Sequence, residues 1–114
     1  MTAYKGAAPL LSSKAFLEAA AGILAVEAYH AATVRTNLAL RGLFTPADKI
    51  SDARDALDRD GDKDQGIGTP NRINIVPADR NGIAFSRSAG QVLRIVYLGG
   101  GRSGGFFPNG INAG

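Results

Sequence analysis

The chain has 114 residues, of which 45% are hydrophobic, and a formal net charge of +3. That length fits at most one small domain, and that apolar share belongs to a folded chain, not a disordered one. There is no cysteine, which excludes disulfides, zinc–thiolate sites and thiol chemistry, and the 13 basic residues are dispersed, with no block that would read as a nucleic-acid patch.

Residues 2–11 read as the end of a helix, closing near Pro9. Ser12 and Ser13 then offer side-chain oxygens to the first amides of a second helix. Residues 13–42 are predicted to form this helix, the longest in the chain. No proline interrupts Lys14 to Arg41, and alanine and leucine dominate it. Such a helix is roughly 42 Å long at 1.5 Å per residue. Phe16, Ala20, Ile23, Leu24, Ala31, Val34 and Leu38 recur at spacings of three and four, the stripe of a bundle helix. Gly42 is placed to end it.

Glu27 and His30, the single histidine, fall within that stripe. The pattern therefore predicts them on the buried face, with Glu18 on the solvated side and Tyr29 packing on another. An ionised carboxylate does not enter a core unpaired; it neutralises, pairs or binds a cation. Residues three apart on a helix lie about 60° apart, so a carboxylate and an imidazole so placed reach one ion from the same side. Helical bundles that hold two irons or two manganese ions use a Glu-x-x-His pair on two helices, plus a glutamate from each of two others. This chain holds one such pair. Two readings stand: ligation of iron or manganese in an intact site, or no metal, with the pair in a buried Glu–His hydrogen bond or at an exposed seam.

Residues 46–59 form a second, shorter helical pattern through Ile50, Ala53 and Leu57. Residues 60–87 read as a loop region. The acidic run Asp58–Asp64 invites a calcium reading, but an EF-hand needs glycine at position 6 and glutamate at 12. Starting from Asp58 these are Lys63 and Thr69, and starting from Asp60 they are Gln65 and Asn71. The run is expected to be a solvated helix-end loop. Asn71 to Val76 alternates as a short extended segment. Residues 88–98 are predicted as a third helix, opened by Ser88-Ala-Gly-Gln91 in capping-box form.

Residues 99–114 contain seven glycines and are expected to be irregular, with Phe106 and Phe107 docking on the bundle. The glycine-rich start of this tail lacks the Gly-Lys-Ser/Thr ending of a phosphate loop, and no helix comes after it. No serine has the partners of a hydrolytic triad, and no catalytic residue is assigned. No apolar run reaches the length of a membrane span, and Met1 to Leu11 is not a signal peptide. The cellular location stays open, since an exported start could lie upstream.

Four blocks carry a resemblance: Leu17 to Leu38, Ile50 to Leu57 with Asp64 to Ile67, Phe85 to Tyr97, and Gly104 to Gly110. In that order they resemble the C-terminal half of the ferritin-like domain of desiccation-related proteins. The resemblance implies a mainly α fold: a partial ferritin-like helical bundle with one long helix, two or three short helices and an irregular Gly-rich tail. The long helix would be the fourth of the bundle, and residues 2–11 the end of the third. Glu27 and His30 match one ligand motif, with the remaining ligands expected before Met1. The family name implies an association with drying stress. A stripe with little to cover it is expected to drive self-association, or pairing with another bundle half. The rival reading is a structural or interaction module that keeps the scaffold without the metal. A redox enzyme would need a second chain to supply the missing ligands.

Overall fold

Ser13 opens the longest helix, its side chain accepting from the Phe16 amide at 3.4 Å. The computed structural model describes residues 1–111, and the last three residues of the predicted tail lie outside the described residues. Four α-helices occur among the described residues. They are α1 (Thr2–Ala7), α2 (Lys14–Leu40), α3 (Phe44–Asp58) and α4 (Ala89–Val96). The chain is therefore mainly α, a partial bundle in which one helix is far longer than the rest.

Each boundary has a local cause. α1 runs into a 3-10 turn, Ala8–Leu10, because Pro9 has no amide to continue the ladder. At the end of α2, Gly42 adopts φ +69, and two amides fold back: Gly42 onto the Ala39 carbonyl at 3.0 Å and Leu43 onto that of Leu38 at 2.9 Å. This double return satisfies carbonyls that the helix leaves free. α3 begins at Phe44, two residues before the predicted 46–59. Pro46 falls in its first turn, where its missing amide would have no partner anyway. α4 has the expected capping box: the Gln91 amide donates to Ser88 Oγ, and the Ser88 amide to Gln91 Oε1 at 2.7 Å.

The 60–87 region contains a hairpin. Gly68–Thr69 (β1) pairs antiparallel with Arg72–Ile73 (β2), in register Gly68 to Ile73 and Thr69 to Arg72. Pro70 and Asn71 make the turn; β2 falls inside the predicted extended segment 71–76, and its partner β1 lies just before it. In the tail, Phe107 packs edge-on to Tyr97 with ring centroids 6.2 Å apart. Phe106 stays 78% exposed, so one of the two expected phenylalanines docks.

The interior is thin. Ala47, Ile67 and Tyr97 are the buried apolar residues among those described, and Ser51, Asp58 and Arg87 are buried beside them. α1, α3 and α4 gather round this small centre while α2 extends past it. The radius of gyration is 15.3 Å, against about 13 Å for a compact domain of 100 residues. No residue of α2 is fully buried. Phe16, Val34 and Leu40 are more than half exposed, and Ile23 and Val26 nearly so.

By length and composition α2 is also apolar enough to cross a membrane, with an 18-residue window averaging 1.2 in mean hydropathy. Uninterrupted apolar runs alone do not register it. Glu27 is the middle residue of α2, and a charge at the centre of a bilayer costs about 2.5–3.5 kcal/mol.

Candidate functional site

Glu27 and His30 lie one helical turn apart on α2 and line the same cavity, of about 750 Å³. Its walls are mostly apolar. Ala31, Val34 and Leu38 continue the α2 wall, Ile50 of α3 faces them, and Ile95 and Val96 of α4 close the far side.

The predicted burial of the pair is not found. His30 is exposed, and the Glu27 side chain is 38% exposed. The stripe is apolar as expected, but α1 and the start of α3 cover only one flank of it. Tyr29, expected to pack, is 73% exposed, because two residues on from Glu27 it lies about 160° round the helix, opposite the stripe. Glu18 is exposed, as its place on the far side requires. The Glu27 carboxylate takes the Met1 amino group at 2.6 Å. Among the described residues, no group of three or more His, Asp or Glu converges as a metal site. The pair thus offers two donors, one carboxylate and one imidazole. Two donors do not make a complete two-metal centre of the bundle type.

Two arginines and one aspartate shape the site, and neither arginine carries an assignment from the sequence. Arg35, two turns beyond Ala28, lines the cavity and donates to four backbone carbonyls: Ile75 at 2.9 Å, Gln65 at 3.0 Å, Gly66 at 2.6 Å and Asn74 at 2.6 Å. Burial pushes its guanidinium below the ordinary arginine value, partly countered by the Asp64 carboxylate. It pins the hairpin segment to α2 and so builds one wall. An arginine on the flank of an Ala- and Leu-rich helix is the available signal, since a charge there must find acceptors.

Arg87 and Asp58 form the second group. Arg87 Nε donates to Asp58, Nη2 to Asp55 at 2.6 Å and Nη1 to Thr2 Oγ1 at 3.2 Å. This corrects the solvated reading at Asp58, which is 1% exposed, while residues 59–62 are exposed as expected. Other carboxylates of that run are also engaged from within the chain. Asp60 accepts from Lys63 at 2.6 Å and from Gln91, and Asp64 pairs with Arg54. Just outside the run, Asp55 accepts from the Lys63 and Asp64 amides. Carboxylates that point at separate partners do not converge on one ion.

Two comparisons bear on this arrangement. The profile of the family described as Ferritin-like domain matches residues 1–40. These are α1 and α2, the segment that contributes Glu27 and His30. The chain is also similar to the ferritin-like catalase Nec2 of Nesocodon mauritianus, at 31% identity over 132 residues, covering 98% of this chain. It spans only 42% of that relative's length. No solved structure matches.

Proposed function

This chain belongs to the ferritin-like proteins, and from that premise we propose that it contributes Glu27 and His30 to a carboxylate–histidine metal site in an assembled ferritin-like bundle. The observation that carries the reading is that both side chains open into one cavity along the uncovered length of α2. Iron and manganese are the ions that suit this donor pair in helical bundles. Such an ion would supply one-electron redox chemistry when bound. The chain's own part is to hold one carboxylate and one imidazole on a rigid helix. Arg35 keeps the neighbouring wall in place.

The relative's name makes peroxide decomposition the reaction to assay, and a protective role under drying or oxidative stress is the physiological reading in keeping with it. With two donors, the chain alone is a ligand contributor and not a complete catalytic centre. The test is metal analysis of the purified chain after equilibration with iron(II) or manganese(II), beside His30→Ala and Glu27→Gln. Bound metal that falls at least several-fold in both variants supports ligation. Equal metal in all three removes both residues from any site.

One observation favours a second reading. Among the described residues no third His, Asp or Glu joins Glu27 and His30 in a metal-holding group. Under that reading the chain is a structural or interaction module of the same scaffold, and equal metal content in the three proteins is its signature.

A further inference from the structure

We propose that the turns after α4 form a docking surface for an anionic lipid layer, in which Leu98, Phe106 and Ile111 enter the apolar edge and Arg94 and Arg102 meet the headgroups. The backbone sets out the apolar part. α4 closes with the Gly99 amide on the Arg94 carbonyl at 2.7 Å and the Leu98 amide on that of Ile95 at 3.0 Å. A cap of this form has one left-handed residue, usually glycine. Here Leu98 takes that place at φ +52, although three glycines follow it. A bulky residue held in a strained conformation marks a position with a use beyond the fold, and this leucine is 65% exposed.

The chain then returns beside it. The Phe106 amide donates to the Val96 carbonyl at 2.9 Å, and a Cβ on Gly105 would fall 2.9 Å from Leu98 Cγ. Phe106, 78% exposed, therefore stands next to Leu98. Ile111 is held nearby by its amide on the Tyr97 hydroxyl at 3.1 Å. A Cβ on Gly110 would fall 2.6 Å from the Arg102 carbonyl oxygen, which sets Arg102 beside Ile111. None of these residues lines the α2 cavity, so the surface is separate from the bare face of α2. It uses neither Glu27 nor His30.

Charge decides what fits there. Asp79 is the last of the ten acidic residues, and from Arg80 onward the chain has four arginines and no Asp or Glu. Arg87 is matched in the interior by Asp58 and Asp55. Arg94 and Arg102 are exposed and have no ion-pair partner among the described residues. Arg59 joins Arg94 at a polar hollow whose Asp58 and Asp60 are already held by Arg87 and Lys63. The complement is therefore an anionic surface. The apolar groups stand on tight turns and not on a strand edge that a peptide could extend. A lipid layer moulds to such points, taking apolar side chains at headgroup depth while cations stay at the anionic surface.

The test is co-sedimentation of the chain with phosphatidylcholine vesicles, with and without phosphatidylglycerol. Each arginine at an anionic surface is worth about fivefold in partition, so phosphatidylglycerol should strengthen binding at least about tenfold, and high salt should remove the gain. Arg94→Gln with Arg102→Gln should abolish the preference. Phe106→Ser should weaken partition about tenfold. Leu98→Gly separates binding from folding: glycine takes a positive φ without strain, so Tm should hold or rise while partition falls several-fold. A parent chain that stays in solution, or binds both vesicles equally, overturns the proposal. So does unchanged partition of Phe106→Ser and Leu98→Gly, which would assign the binding to α2. Binding of poly-glutamate that Phe106→Ser lowers to the same extent would assign the surface to an acidic protein and overturn it too.

Discussion

The Arg87 guanidinium donates to Asp58 in the middle of the fold, with the two residues 4% and 1% exposed. This pair joins the segment before α4 to the last turn of α3, and the same guanidinium reaches back to Thr2 at the start of α1. α1, α3 and the segment leading into α4 thus meet on one cation. In a chain with so few buried apolar residues, the polar group at the centre decides where they sit.

Removing one partner of a buried pair leaves an uncompensated charge and costs about 3–5 kcal/mol. Arg87→Met is accordingly expected to lower the urea midpoint by that equivalent. The double variant Arg87→Met with Asp58→Leu should recover part of the loss, since a buried pair replaced by apolar groups is often near neutral. A double variant no better than the single would mean that the Asp55 and Thr2 contacts carry the stability instead.

Gly6 and Gly22 should respond to alanine with opposite signs. A Cβ on Gly6 would fall 1.9 Å from the Arg87 carbonyl oxygen, a contact that forces backbone apart. Gly22, inside α2, has nothing within 4 Å of its would-be Cβ. Gly22→Ala should stabilise by about 0.5–1 kcal/mol through helix propensity, while Gly6→Ala should destabilise and loosen α1. Thermal melts of both variants check this, and a rise in Tm for Gly6→Ala would show that α1 does not approach Arg87 so closely.

Arg35→Lys keeps the charge and loses the planar fork. An ammonium group does not span the Ile75, Gln65, Gly66 and Asn74 carbonyls together. The expected loss is about 1–3 kcal/mol. It should appear locally, as faster hydrogen exchange at the Asn74 amide, which donates to the Ile67 carbonyl at 2.8 Å. Unchanged exchange there would show that the hairpin segment holds itself against α2.

The hydrogen bond from Lys63, with that residue's charge and the Gln91 amide, holds the Asp60 carboxyl below its ordinary value. A lowered folded-state value means stability that is present above the unfolded carboxyl pKa and lost as pH falls through the folded one. The parent chain should therefore lose an increment of stability on acidification below about pH 4 that Asp60→Asn lacks throughout. Melting temperatures of the two proteins should converge at the acid end. Parallel curves across the whole range would remove Asp60 from the balance.

Much of the architecture is legible in local chemistry. Ser13, Gly42 and the Ser88–Gln91 box act within a few residues of themselves, so their positions in the chain nearly define α2 and α4. The stripe through Phe16, Ile23 and Val34 is legible for the same reason. Spacing alone picks out Glu27 and His30, and their shared cavity agrees with that spacing. Their exposure is not legible, because periodicity tells which face is apolar and not whether anything lies on it. The start of α3 falls two residues before its predicted place because proline is compatible with both a helix boundary and a first turn.

Sequence by itself determined the helical elements, their caps, and a two-donor motif at the centre of the longest helix, since all of these depend on neighbours a few residues apart. Tertiary structure alone decided that Arg87 sits between Asp58 and Asp55, that Arg35 gathers four carbonyls from a distant loop, and that α2 stands largely uncovered. The Arg87–Asp58 pair joins residues 29 positions apart, and the Arg35 bond to the Ile75 carbonyl joins residues 40 apart. Their energy comes from charges withdrawn from water and matched to acceptors, a condition set by the packing of the whole chain.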